Sequence, residues 1–119
     1  VTSELTRETL RGLFRNFQEW HSLYEANVVD DLIRYGDFEF SLWDLDYLVS
    51  NLGLLPPRQA EAIRLCFIEG KREQDAALLM GIKGTNPVSQ YANEGLKKIL
   101  GLIDDGSLPR FKPLAGSNS

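Results

Sequence analysis

Ser89, Gln90, Asn93, Lys97 and Lys98 fall within ten residues, at spacings that put them on or at the margins of one face of a helix. Side-chain amides carry a donor beside an acceptor, the pattern that addresses an adenine edge in the major groove, and lysine ammoniums neutralise phosphate. Lys71, Arg72 and Lys83 precede that helix and add positive charge. Glu94 lies on the same face and repels phosphate, and the face lacks arginine, which lowers its attraction for a bare duplex. The plain alternative is a solvated polar face with no ligand.

Other reactive residue types form no comparable set. One cysteine, Cys66, and one histidine, His21, cannot build a disulfide or a Cys/His zinc site within the chain, so no metal or cofactor is expected. Cys66 shares an apolar side with Ile63 and Phe67 and reads as a small hydrophobe. Asp30 with Asp31, and Asp44 with Asp46, are nominal carboxylate pairs, but adjacent acids on helices usually face water. Gly81-Ile82-Lys83-Gly84-Thr85 does not reproduce a phosphate-binding loop, and no strand precedes it. No nucleophile, base and acid converge, so an enzyme is not expected.

Several elements must position the polar face. Thr6 to Ala26 places Leu10, Leu13, Phe14, Phe17, Trp20 and Tyr24 at helical spacing, an amphipathic helix. Val28 to Gly36 reads as a short second helix, followed by an extended Phe38-Glu39-Phe40. Ser41, with Asp44 three residues on, opens a helix that Gly53 ends. Pro56-Pro57 starts another that buries Gln59, Ala62, Ile63, Cys66 and Phe67 up to Gly70. Glu73 to Met80 forms a short helix with Ala76, Ala77, Leu79 and Met80 inward and Gly81 as its left-handed cap. A last helix runs from Thr85-Asn86-Pro87 to about Asp104, with Val88, Tyr91, Ala92, Gly95, Leu96, Ile99, Leu102 and Ile103 on its core side. Phe14, Phe17, Trp20, Trp43 and Tyr47 are expected to fill the core. With no convincing alternating strand, the chain reads as all-α: an acidic helical subregion 1–54, a helix-turn-helix subregion 55–105 and a flexible tail 106–119.

A short helix, a glycine turn and a polar-faced helix make the helix-turn-helix pattern, whose second helix enters the major groove. Leu55-Pro56-Pro57-Arg58-Gln59-Ala60-Glu61-Ala62-Ile63-Arg64-Leu65 resembles the "LPPRQREALRL" opening of the fourth conserved region of bacterial sigma factors. Asp75 to Ile82 is similar to that region's "EIAxxLGI" helix, and Gly95-Leu96-Lys97-Lys98-Ile99 to its "RALKKL" ending. The resemblance covers Leu55 to Leu100 and extends to the sigma-like regulators of bacteriophages. It implies contact with promoter DNA and often with RNA polymerase. The stretch from Gly81 to Val88 is one residue longer than in that family, and Pro87 is unusual there. Nothing before Leu42 resembles the preceding sigma region, so an accessory regulator is expected rather than a complete initiation factor.

Composition agrees with a single domain. The 119 residues are 43% hydrophobic and 25% charged, and no apolar run approaches the ~20 residues that cross a bilayer. The absence of a signal-like opening and the lone cysteine set the expectation of a reducing, cytoplasmic setting. The net charge of -4 is uneven: four arginines against ten acids over 1–55 give -6, seven basic residues against five acids over 56–100 give +2, and 101–119 is neutral. Such halves can face different partners or serve only solubility. Three functions follow: a sequence-specific DNA-binding regulator, as a monomer or homodimer; a factor that binds RNA polymerase or another host protein through the acidic half without specific DNA contact; or the small DNA-recognition subunit of a phage packaging terminase.

Overall fold

The structure, a computed structural model, describes residues 5–113. Thr6 opens the first helix, α1 (Arg7–Glu25), and its Oγ1 accepts the Thr9 backbone N–H at 3.2 Å, pairing one amide that a helix start leaves free. Leu10, Leu13, Phe14 and Phe17 form its buried stripe, as the periodicity predicts.

The next segment differs from the expected helix. Leu32–Tyr35 (β1) and Phe38–Ser41 (β2) pair antiparallel, with Tyr35 opposite Phe38 and Leu32 opposite Ser41. Gly36 occupies the first of two turn positions with φ 57°, a conformation that side-chain-bearing residues resist. Ile33, Phe38 and Phe40 are buried, so alternate residues cover one face. A lone helix of so few residues nucleates poorly, whereas the hairpin gains a ladder partner at once. Lys112–Pro113 (β3) adds to the other edge of β2, with Glu39 opposite Lys112, giving the order β1-β2-β3. The protein is therefore mostly helical with a small antiparallel sheet, not all-α.

Ser41 caps the second helix, α2 (Leu42–Ser50), its Oγ accepting the Trp43 N–H at 3.2 Å. The helix stops at Asn51, not Gly53: the Asn51 Nδ2 donates to the Tyr47 carbonyl at 2.7 Å, and a single 3-10 turn, Leu52–Leu54, follows. Leu42, Leu45 and Leu48 are buried, but Trp43 and Tyr47, expected in the core, are about half exposed at 48% and 51%. Leucines at the first, fourth and seventh positions occupy the inward stripe, which turns the two aromatics outward.

The third helix, α3 (Pro57–Ile63), continues into a π-helical turn, Arg64–Ile68, closed by the Glu69 N–H donating to the Arg64 carbonyl at 2.9 Å. The wider turn buries Leu65, Phe67 and Ile68 and leaves Cys66 half-buried. The fourth helix, α4 (Glu73–Met80), buries Ala76, Ala77 and Met80 and ends on Gly81 at φ 68°. Leu79, expected inward, is 60% exposed and Leu78 is 79% exposed.

The fifth helix, α5 (Asn86–Asp104), follows, with Pro87 in its first turn. Its buried stripe is Val88, Ala92, Gly95, Leu96, Ile99 and Ile103. Gly95 lets α5 lie against α3: a Cβ there would meet Ile63 Cδ1 at 2.6 Å and Gln59 Cβ at 3.3 Å. Beyond α5 the chain does not trail away as expected. Leu108 and Phe111 are buried, and the Phe111 ring lies 5.0 Å from that of Phe40. Two apolar side chains and a strand edge hold residues 106–113, where their Gly, Ser and Pro content signals a free arm. Residues 114–119, the rest of the expected tail, lie outside the described residues. Buried side chains from before and after Leu55 form one continuous core.

Candidate nucleic-acid interface

The candidate site is the unburied flank of α5 together with the segments leading to it. Gln90 and Lys97 are exposed on the side of α5 away from Val88, Leu96 and Ile99, and Lys98 is exposed at its margin. Lys83 is exposed in the connection between α4 and α5. Among the described residues, no carboxylate lies within 4.0 Å of Lys83, Lys97 or Lys98, so their ammoniums are free for an outside anion.

Lys71 and Arg72 are exposed but already answered by acids. Lys71 Nζ is 4.0 Å from Glu69, which also pairs with Arg64 at 3.7 Å, and Arg72 Nε donates to Asp75 at 3.4 Å. Exposed pairs of this kind contribute ~0–1 kcal/mol, so a stronger anion can compete for either cation.

Ser89 and Asn93 depart from a freely exposed groove face. Both are half-buried and line a cavity of about 90 Å³ against Arg11 and Arg15 of α1 and Phe67 of the π-turn. The face is thus divided: Gln90, Lys97 and Lys98 look outward, while Ser89 and Asn93 border a cleft with α1. Sequence spacing places them together on α5 but does not show that α1 lies alongside.

Glu94 is held from two sides. Gln90 Nε2 donates to Glu94 Oε1 at 3.2 Å, and Gln59 Nε2 donates to Oε2 at 3.3 Å. Gln59 is buried, and its Oε1 has no partner among the described residues. Glu94 draws on one donor N–H of Gln90, leaving the carbonyl and second N–H for a base edge.

Arg58, which periodicity did not single out, donates from Nη1 to the Met80 carbonyl and ties α3 to the end of α4. A cation there also meets the negative end of the α4 dipole. The other residues weighed from sequence lie elsewhere. His21 Nδ1 is 3.3 Å from Glu25 on α1, and among the described residues no three His, Cys, Asp or Glu side chains gather to hold a metal. Burial pushes the Cys66 thiol up, with Glu73 adding to the rise and Arg15 opposing it. No described helix is long and apolar enough to cross a membrane.

No protein-family model, curated protein or solved structure matches the chain.

Proposed function

We propose that the chain is a sequence-specific duplex-DNA-binding regulator in which α4, the connection through Gly81 and α5 act as a helix-turn-helix of the sigma region-four type. The observation that carries the reading is the α5 flank, where Gln90, Lys97 and Lys98 stand exposed and the lysines have no acidic partner among the described residues. The sigma-like order of motifs from Leu55 to Leu100 supports it. In this reading α5 enters the major groove, Gln90 reads a base edge, and Lys71, Arg72, Lys83, Lys97 and Lys98 meet phosphates. Ser89 and Asn93 serve at the cleft margin.

Selection of bound duplexes from a random pool, with and without bacterial RNA polymerase, tests it. An enriched motif is expected, and Gln90→Ala should cost about 1–3 kcal/mol of discrimination at one position. Lys97→Ala should weaken all duplexes alike, as read by fluorescence anisotropy. Equal binding by wild type and both variants overturns the placement of α5.

A second reading rests on Trp43 and Tyr47, half exposed one turn apart on α2 within the acidic subregion. Exposed aromatics are frequent anchors of protein interfaces, so this face is suited to a host protein such as RNA polymerase. Retention of polymerase by the full chain, lost in Trp43→Ala and accompanied by no duplex binding at low salt, selects this reading over the first.

A further inference from the structure

Two of the three arginines of α1 flank the ring of Phe67. Arg11 and Arg15, one turn apart, each place their guanidinium carbon 5.6 Å from the centre of the Phe67 ring. Among the described residues neither lies within 4.0 Å of a carboxylate. Arg11 is half-buried, and its Nε is shielded from solvent without an acceptor among the described residues. A shielded N–H left unpaired costs ~1–3 kcal/mol, and more in a charged group. Packing near an aromatic ring offsets part of that cost, while a guanidinium keeps its donors in a planar fork suited to two oxygens of one anion.

The opposite wall of the cleft is α5, which contributes Ser89 and Asn93, a hydroxyl and an amide able to donate to the same anion. The cleft, about 90 Å³ in volume, has room for several waters and so for a small oxyanion. Glu73 also borders the cleft, so two guanidiniums and one carboxylate leave a single positive charge. A phosphodiester, with one negative charge, neutralises that balance.

We propose that the Arg11, Arg15, Phe67, Ser89 and Asn93 cleft is a phosphodiester-binding site. On the DNA reading above, on which this step alone rests, the occupant is a backbone phosphate beside the groove that α5 enters. Helix α1 would then contribute to docking although it lies outside the sigma-like segment.

The experiment uses the full chain labelled with nitrogen-15 and follows the arginine Nε–H signals. Dimethyl phosphate, the bare singly charged diester, is titrated first, and the duplex selected by the wild type second. The Arg11 and Arg15 signals should shift saturably with dimethyl phosphate, and Arg15→Gln should abolish saturation at Arg11. Arg15 is exposed, so this variant leaves the core intact. On the duplex, the Arg11→Gln, Arg15→Gln double variant should lower the slope of log K against log salt by about 0.9, the value of one phosphate contact.

Absence of a saturable shift with dimethyl phosphate overturns the site, whatever the duplex does. An unchanged salt slope in a folded double variant overturns the backbone assignment even where α5 reads bases. If no duplex binds the wild type, the DNA reading fails alone: a saturable dimethyl phosphate response then upholds the cleft as a site for a free phosphodiester.

Discussion

Cys66 sits where three influences on one thiol can be separated. Burial disfavours the thiolate, the Glu73 carboxylate repels it, and the Arg15 guanidinium attracts it, with a net rise above the ordinary thiol range. Alkylation by iodoacetamide proceeds through the thiolate, so its rate should still be climbing at a pH where an exposed cysteine has levelled off. Glu73→Gln removes a repulsion and should move the pH–rate curve down, whereas Arg15→Gln removes an attraction and should move it up. Curves that coincide for all three proteins would show that Cys66 is not electrostatically coupled to that cleft. Sequence alone placed Cys66 on an apolar side. Its half-exposure comes from the π-turn, which no residue pattern in Arg64–Ile68 signals.

At the scale of elements, the contact between α3 and α5 turns on Gly95. Alanine there gains helix propensity of about 1 kcal/mol over glycine, but its Cβ would sit 2.6 Å from Ile63 Cδ1, and overpacking costs about 1–3 kcal/mol. Gly95→Ala should therefore be neutral to destabilising by about 2 kcal/mol in urea unfolding. Ile63→Val deletes the methyl that the new Cβ meets, so the double variant should be more stable than the sum of the two single changes. An additive result would mean that the helices part to admit the methyl. The stripe of α5 was legible because nineteen helical residues repeat the 3.6-residue period several times. The hairpin was not, since four-residue strands offer two inward positions each and Val28, Val29, Leu32 and Ile33 satisfy a helical spacing equally well.

For the whole molecule, the chain after α5 decides how the sheet is completed. Truncation after Asp105 would remove Leu108, Phe111 and β3, expose the edge of β2 and uncover Phe40. Burial of one large apolar side chain contributes about 1.5–3 kcal/mol, so the loss should reach several kcal/mol, seen as a lower urea midpoint. A free arm would leave the midpoint unchanged. Truncation after Pro113 removes none of these groups and serves as the control.

Composition and period by themselves determined the long helices, the glycine cap at Gly81 and the buried stripe of α5, because each depends on neighbours within a turn or two of chain. Tertiary structure alone decided that Phe111 returns to Phe40, that Gln59 holds Glu94 and that Arg11 and Arg15 face Ser89 and Asn93 across a cleft. Those pairings join residues from 35 to more than 70 positions apart. They are selected by which packing buries the most apolar surface, a property of the assembled core and not of any local run of residues.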